Sequence, residues 1–219
     1  YITKNHQMFI YGCNSSGQLG LNNFVNVNVL RRNRFFTSYR APKFISTGIE
    51  SDHCFVVTTQ GELYGFGSNV DYKLGLTWFG NTVSKPKLIK FNFGSQLFKI
   101  SCGMKHSLFL TFSGDVFACG SDTYHQIQIH YYNTHACIKT SEYSIFKVLE
   151  LKDIIDVECG RYTSYALDND GQLYSFGFNG SGELGIGSKD DDIDTICKVD
   201  GIILKHISAG ISHLACLSR

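Results

Sequence analysis

One ten-residue pattern that occurs four times without a gap limits what this chain can fold into. Each copy starts at a glycine, and three of the four copies contain a Leu-Gly pair near their end. Such self-similarity indicates a repeat architecture, in which each unit buries its apolar face against its neighbours. The copies are Gly12–Leu21, Gly67–Leu76, Gly120–Ile129 and Gly177–Ile186.

The residues before each of these glycines are predicted to form strands. Tyr174 and Phe176 share one face of an extended chain, and Leu173 and Ser175 share the other, because side chains alternate along a strand. A second apolar segment precedes each of the last three copies and is joined to it by a glycine turn. Glycine supplies the positive φ that a tight turn requires, so each pair is predicted to be a β-hairpin. The turn glycines are Gly61, Gly114 and Gly171.

A third recurring segment ends in glycine and is followed by a histidine in three of its four copies. The histidines are His53, His106 and His213, and Thr163 takes this position in the remaining copy. The spacings are 106 − 53 = 53, 163 − 106 = 57 and 213 − 163 = 50 residues, and the units hinge near residues 45, 100, 157 and 207. A period of this length suits a four-stranded sheet. We therefore predict an all-β propeller of four-stranded blades with about four repeat units.

The two ends of the chain hold complementary parts of one unit. Residues 8–21 match the second half of a unit, and residues 206–219 match the first half. Because closure of a propeller leaves few exposed strand edges, we expect one blade to be shared by the two chain ends. Residues 1–219 are then a single propeller domain or a segment of a larger propeller.

This pattern resembles the regulator of chromosome condensation repeat family over nearly the whole chain. The family signature is a glycine followed by a histidine, an apolar strand, a glycine turn, an aromatic strand ending in glycine, and Asn-x-x-Gly-x-Leu-Gly. The resemblance implies a propeller, typically of seven blades. It departs from the family at the residue before the strand-ending glycine, where tryptophan is usual. The matching residues are Cys102, Gly103, His106, Gly114, Gly120, Asn179, Gly182, Leu184 and Gly185, and the departing ones are Tyr11, Phe66, Cys119 and Phe176.

Charge and composition exclude several classes of function. Lys and Arg number 20 and Asp and Glu number 19, so the net charge of +1 gives no general attraction to nucleic acid or membrane. No apolar run approaches the roughly 20 residues that span a bilayer, and the first residues lack the hydrophobic stretch of a signal peptide. The eight cysteines include no Cys-x-x-Cys pair and are expected to be reduced and buried. We expect an intracellular protein, in the cytoplasm or nucleus, without a membrane partner.

Residue types that carry catalysis or bind metal do not form a recognisable site. The repeat histidines occur once per unit and are expected to make a structural hydrogen bond inside each blade. A later segment has zinc-ligand residue types, but five-residue spacing places successive histidines on opposite faces of a strand, so we predict no metal. No phosphate loop or nucleophile elbow occurs, so we predict a non-enzymatic protein without a cofactor. The zinc-ligand types are His125, His130, His135 and Cys137.

A basic and aromatic loop is the candidate partner-binding site. Five cations and no acid lie between residues 31 and 43. Arginine mixed with aromatic residues is enriched at binding hot spots, so we predict contact with an acidic protein surface. In an alternative interpretation, the two phenylalanines tuck beneath the loop and close a blade while the arginines keep the loop soluble. The candidate residues are Arg31, Arg32, Arg34, Phe35, Phe36, Tyr39, Arg40 and Lys43.

The predicted function is that of a protein-interaction scaffold, because the strands repeat while the blade loops vary in length and chemistry. The family resemblance implies an alternative, guanine nucleotide exchange on a Ran-like small GTPase, and chromatin proteins as further partners. An exchange factor needs no nucleophile, because it binds the nucleotide-free GTPase more tightly than the loaded one. A short cluster of cations contacts few phosphates, so nucleic acid is the lesser candidate partner.

Overall fold

The computed structural model describes residues 1–77, 80–129, 143–190 and 193–219. Regular structure in this part of the chain is β-strand, apart from two short 3₁₀ turns at Ser38–Arg40 and Val70–Tyr72. The strands are β1 Phe9–Gly12, β2 Val27–Arg32, β3 Pro42–Ser46, β4 His53–Thr58, β5 Leu63–Ser68, β6 Thr82–Ile89, β7 Leu97–Cys102, β8 His106–Thr111, β9 Val116–Gly120, β10 Phe146–Lys147, β11 Ile154–Cys159, β12 Thr163–Asp168, β13 Leu173–Gly177, β14 Cys197–Val199, β15 Leu204–Ala209 and β16 Leu214–Ser218.

Three four-stranded antiparallel sheets form the blades. The first blade is β3-β4-β5-β6, the second is β7-β8-β9-β10 and the third is β11-β12-β13-β14. A tight turn joins the middle strands of each blade; in the first blade Val57 pairs with Leu63, and Gly61 of the turn has φ +82. The all-β class, the four-stranded blades and the glycine turns predicted from the sequence are confirmed.

The two chain ends differ from the expectation of one shared blade. β1 pairs with β2, and β15 pairs with β16, as two separate two-stranded sheets, which we call the N-terminal and the C-terminal half-blade. Along β16 the side chains are largely exposed, and Leu217 is 63% exposed. Within the described residues each half-blade packs beside the blade next to it in the chain.

The hydrophobic core lies in the seams between neighbouring blades. Phe55 of β4 contacts Phe109 of β8 across the seam between the first and second blades, with ring centroids 5.1 Å apart. Successive side chains of β4 point to opposite seams, so Val56 belongs to the cluster shared with the N-terminal half-blade. Strands β4, β5 and β8 are buried along their whole length, because both of their faces are covered.

His53 and His106 each connect neighbouring blades, and His53 also makes the expected hydrogen bond inside its own blade, to Ser51. His53 Nε2 lies 2.7 Å from Ser107 Oγ of the second blade, and His106 Nε2 lies 3.0 Å from Ser164 Oγ of the third. Each serine directly follows the histidine position of the next unit. Equivalent strands of adjacent blades face each other, so the hydrogen bond crosses the seam.

At two of the three repeat histidines, the imidazole ring requires the glycine that precedes it. A Cβ built on Gly103 would collide with the ring of His106, and a Cβ on Gly210 would collide with the ring of His213. In these two units the glycine and the histidine therefore pack as one unit, whereas Gly48, which precedes His53, is required by the backbone carbonyl of Cys102.

The cysteines of the described residues are free thiols. Cys54, Cys102 and Cys119 are buried, and burial raises the pKa of Cys102 to about 12. A thiol with such a pKa stays protonated at neutral pH and is a poor nucleophile. These three cysteines serve as small core residues of the blades, whereas Cys13 and Cys216 are exposed, which corrects the expectation that the cysteines are buried.

Two further sequence predictions concern metal and membrane. His130, His135 and Cys137 lie outside the described residues, so the absence of a zinc site stays a prediction. In the part of the chain that the structure describes, no helix has the length and apolar character to cross a membrane.

Candidate partner-binding cleft

A basic cleft opens where the N-terminal half-blade meets the first blade. Its volume is about 400 Å³. Arg31 and Arg32 come from the end of β2, Arg34 comes from the turn that follows, and Lys85 comes from β6. Phe35 forms part of the wall. Two neighbouring sheets therefore contribute cations to one concave surface.

Asn33 fixes the turn that presents the arginines. Its side chain is buried, with Nδ2 donating to the Leu19 carbonyl at 3.0 Å and Oδ1 accepting the N–H of Phe35 at 2.9 Å. The backbone N–H of Asn33 donates to the Met8 carbonyl at 2.9 Å. One residue thus ties β2 to the two preceding segments, which holds the wall of the cleft in place.

Strand β2 exposes its arginines because it is an outer strand of its sheet. Arg31 pairs with Ile10 and Arg32 with Phe9, so the backbone of β2 is bonded to β1 on one side. Along β2 only Val27 is buried. Charged side chains on such an edge also oppose unwanted pairing with other strands.

The structure brings Arg31, Arg32, Arg34 and Phe35 of the candidate residues together at the cleft. Phe36, by contrast, is 1% exposed and packs against Tyr64, with ring centroids 5.7 Å apart. It closes the seam between the N-terminal half-blade and the first blade. The alternative interpretation, in which the two phenylalanines tuck beneath the loop, therefore applies to Phe36. It does not apply to Phe35, which is half-buried between the core and the cleft.

The remaining three candidates do not line the cleft. Arg40 lies over the ring of Phe35, with Cζ 4.4 Å from the centroid. Lys43 lies on β3 with its ammonium 5.7 Å from the ring centroid of Phe112. Tyr39 is the middle residue of the 3₁₀ turn and is 87% exposed. Arg40 thus supports the ring that the cleft presents.

Sequence reasoning missed Lys85 and Asn33. Lys85 is separated from the loop by the whole of β3, β4 and β5, and only the packing of two blades brings it to the cleft. Asn33 had a signal in the sequence, because an amide between exposed arginines at the end of a strand is typical of a residue that satisfies turn backbone.

In the described part of the chain, no acidic side chain lines the cleft. Among the residues that the structure describes, none of the ion pairs includes Arg31, Arg32, Arg34 or Lys85. Four unpaired cations around a half-buried ring produce a local positive field on a chain of nearly zero net charge. The arrangement suits carboxylates that approach together with apolar groups.

Comparison with known proteins finds the repeat in the sequence. The model described as regulator of chromosome condensation (RCC1) repeat matches residues 60–110, and a second model of that description matches residues 99–126 and 154–183. Probable E3 ubiquitin-protein ligase HERC4 of Mus musculus is 33% identical over 190 residues, which are 85% of this chain and 17% of that protein. Protein RCC2 homolog of Xenopus laevis is 26% identical over 211 residues, which are 88% of this chain and 40% of that protein. The chain spans less than half the length of these relatives.

Solved structures confirm the β-propeller fold class. Prp20p of Saccharomyces cerevisiae, which was studied with its binding properties to Gsp1p and histones, superimposes with a TM-score of 0.80 at 21% identity. The match covers 97% of this chain and 52% of Prp20p. Human WBSCR16 gives the same TM-score and identity over 100% of this chain and 55% of its own. At this identity the likeness concerns the fold alone.

Proposed function

The chain belongs to the regulator of chromosome condensation repeat family, and from that premise we propose that it is a non-enzymatic docking module for a partner protein. The basic cleft binds an acidic surface of that partner. Arg31, Arg32, Arg34 and Lys85 attract the carboxylates, and Phe35 supplies the apolar contact. The observation that carries the proposal is the set of four cations around one ring, in a cleft that no acidic side chain of the described residues lines.

The position of the cleft supports docking over chemistry. It lies at a junction of two blades whose strands are fixed by the core, and binding residues often lie on loops that such a scaffold holds. Among the described residues, its side chains are cationic, amide or apolar, and they include no pair of a nucleophile and a base. Charge complementarity then increases the rate of association more than it increases affinity.

Guanine nucleotide exchange on a Ran-like GTPase is the second candidate function. The propeller likeness to Prp20p, together with the binding of Gsp1p by that protein, favours it over other regulatory activities. This chain spans about half of Prp20p, so a GTPase would meet only part of such a surface here. Release of a fluorescent guanine nucleotide from a panel of small GTPases tests this candidate directly.

A charge reversal tests the docking proposal. Arg31→Glu, Arg32→Glu and Arg34→Glu together replace the field of the cleft with its opposite. Affinity purification with the wild-type chain supplies the partner protein. We expect its association with the variant to be slower by about ten-fold or more at low salt, and the salt dependence to flatten or invert. Stopped-flow association at several ionic strengths measures both quantities.

Three exposed lysines elsewhere provide a matched control. Lys152→Glu, Lys189→Glu and Lys205→Glu give the same change in net charge, from +1 to −5, because three cations become three acids. We expect a much smaller change in rate for this variant. Equal rates for the two variants would show that net charge, and not the cleft, governs association. Unchanged kinetics in the cleft variant would reject the site.

A further inference from the structure

The seam between the third blade and the C-terminal half-blade, which we call the C-terminal seam, differs in chemistry from the others. At the histidine position the first two blades carry His53 and His106, whereas the third carries Thr163. At the position before the Leu-Gly pair, the first blade carries Lys73 and the third carries Glu183. A smaller side chain and a reversed charge therefore meet at this seam.

These changes accompany a cavity of about 210 Å³ in the C-terminal seam. The rings of Tyr124, Tyr162 and Phe178 line it, with centroids 5.1 Å apart for the two tyrosines and 5.0 Å apart for Tyr124 and Phe178. Glu183 and Thr163 also line it. The volume is smaller than the roughly 300–1,000 Å³ of small-molecule sites, so it suits one side chain of a partner protein.

Glu183 is a buried carboxylate without a cation. The residue is 7% exposed, and its Oε2 accepts the backbone N–H of Ser181 at 2.8 Å. Across the described residues, no Lys, Arg or His forms an ion pair with Glu183. Buried glutamates are almost always paired, because an isolated buried charge is costly. The turn uses one carboxylate oxygen and leaves the other for a ligand.

The turn itself does not need the negative charge. Gln18 and Gln126 occupy the position equivalent to Glu183 in two other units. Their Oε1 atoms accept the N–H of Ser16 at 2.9 Å and of Tyr124 at 2.8 Å. A neutral amide therefore performs the structural task, and the charge of Glu183 is additional to it.

The seam between the first and second blades shows what this position accommodates. There Lys73 is 5% exposed, and its Nζ lies 2.5 Å from Asp52 Oδ1. The same ammonium donates to the carbonyl of Met104 on the second blade at 3.2 Å. The fold thus holds an ammonium group between two blades, and in that seam the chain supplies the ammonium itself.

We propose that the cavity of the C-terminal seam binds the ammonium group of a lysine side chain from a partner protein. Glu183 supplies the countercharge, and the rings of Phe178 and Tyr124 attract the cation through their electron-rich faces. Arg161 does not fill this place, because its guanidinium lies over Tyr162 at 5.3 Å and its Nε pairs with Glu50 at 3.0 Å. The site is opposite in charge to the basic cleft, so it goes beyond the proposed function.

A short peptide with one lysine between glycine and serine residues tests the proposal. Its titration into ¹⁵N-labelled protein is followed through the amides of Ser181 and Ile211, which lie at the cavity. We expect saturable shifts with the lysine peptide and none with the same peptide acetylated on the lysine. Absence of shifts at peptide concentrations up to about 10 mM, which is ten times a Kd of about 1 mM, would overturn the proposal. Equal shifts from the acetylated peptide would also overturn it.

Two variants locate the binding in the cavity. Glu183→Gln keeps the turn, as Gln18 and Gln126 do, and we expect it to weaken binding by about ten-fold, or 1.4 kcal/mol. Thr163→His restores the ring found at His53 and fills the cavity, so we expect it to abolish binding. Glu62→Gln, in a hairpin turn of the first blade, is the matched loss of charge and should bind as the wild type does. Wild-type affinity in Glu183→Gln would refute the assigned role of the carboxylate.

Discussion

His53 and His106 occupy the same position of the repeat, yet their hydrogen bonding differs. Ser107 Oγ donates to the Lys73 carbonyl at 2.9 Å, so it accepts from His53 Nε2, which must carry the proton. The loop between Gly48 and His53 is longer than that between Gly103 and His106 by (53 − 48) − (106 − 103) = 2 residues. It contributes Ser51, whose Oγ lies 2.8 Å from His53 Nδ1.

His106 has the shorter loop, and its buried Nδ1 has no hydrogen-bond partner in the described part of the chain. Burial holds the pKa of His53 well below its ordinary value and lowers the pKa of His106 to about 4. Both rings are therefore neutral in the folded protein at neutral pH. In the unfolded chain they gain a proton as the pH falls through about 6.5.

The stability of the protein should therefore fall in mild acid. For His106 the stabilising contribution is complete above pH 6.5 and is lost as the pH falls toward 4, because the unfolded state binds the proton first. We expect the free energy of unfolding of the wild type to drop by about 1 kcal/mol more than that of His106→Thr between pH 7 and pH 5.5. Urea unfolding at each pH measures the difference.

His106→Thr is a suitable reference because Thr163 occupies this position in the third blade. It removes the titrating group and leaves the carboxylates of the protein in place. Identical pH dependence in the two proteins would contradict the assignment of the acid sensitivity to the buried ring.

The sequence predicted a structural hydrogen bond inside each blade, which His53 makes with Ser51, but it did not predict the bond that each histidine makes to the next blade. Alignment of the copies shows which residues are equivalent, such as His53 and His106. It does not show that Ser107 of one unit faces His53 of the previous one, because that contact arises from the packing of two sheets. Packing across seams is the part of the fold that a repeat pattern leaves open.

At the level of elements, the segment from Asn33 to Ala41 combines two tasks. Its first part presents Arg34 and Phe35 to the basic cleft, and its second part turns the chain into β3 through the 3₁₀ turn Ser38–Arg40. Phe36 anchors the segment in the seam, where it contacts Phe35 at 5.2 Å and Tyr64 at 5.7 Å between ring centroids. The loop is thus part of the core as well as of the surface.

Truncation of Phe36 should destabilise the protein strongly. Phe36→Ala leaves a cavity in a well-packed seam, and we expect it to lower the free energy of unfolding by about 3–5 kcal/mol. Tyr39→Ala removes a ring of similar size that is 87% exposed, and we expect a change within about 0.5 kcal/mol. Urea unfolding compares the two. Similar losses for both would mean that Phe36 is not part of the core.

The sequence predicted a basic and aromatic loop over residues 31–43, and Arg31, Arg32 and Arg34 are exposed, although Arg31 and Arg32 lie at the end of β2 and not in a loop. Composition could not show which of Phe35 and Phe36 is buried, because the two are adjacent residues of the same type and differ only in their environment. The sequence could not assign Lys85 to the cleft, because the contact between its strand and the segment depends on how the N-terminal half-blade and the first blade pack.

On the scale of the whole molecule, each blade is stabilised by its two neighbours. β8 is bonded to a strand on both sides and is buried along its length. β16 occupies the equivalent position in its unit, is bonded only to β15 and is mostly exposed. In repeat proteins stability is roughly a sum of such neighbour contacts, so it should decrease toward the two half-blades.

Hydrogen exchange should show this gradient. We expect the backbone amides of β8 to exchange on the order of 100-fold more slowly than those of β16, because local opening of the C-terminal half-blade exposes fewer contacts. Exchange followed by mass spectrometry on peptides from each strand measures the ratio. Equal protection of β16 would indicate that another strand covers its edge.

The ion pair between Glu50 and Arg161 connects two blades that are not neighbours. It joins a loop of the first blade to a loop of the third and passes over the second, so its length depends on the angles at two seams together. Both side chains are substantially exposed, and a pair of this kind contributes at most about 1 kcal/mol. It therefore weakly favours one set of angles between neighbouring blades, and a small change in these angles is enough to break it.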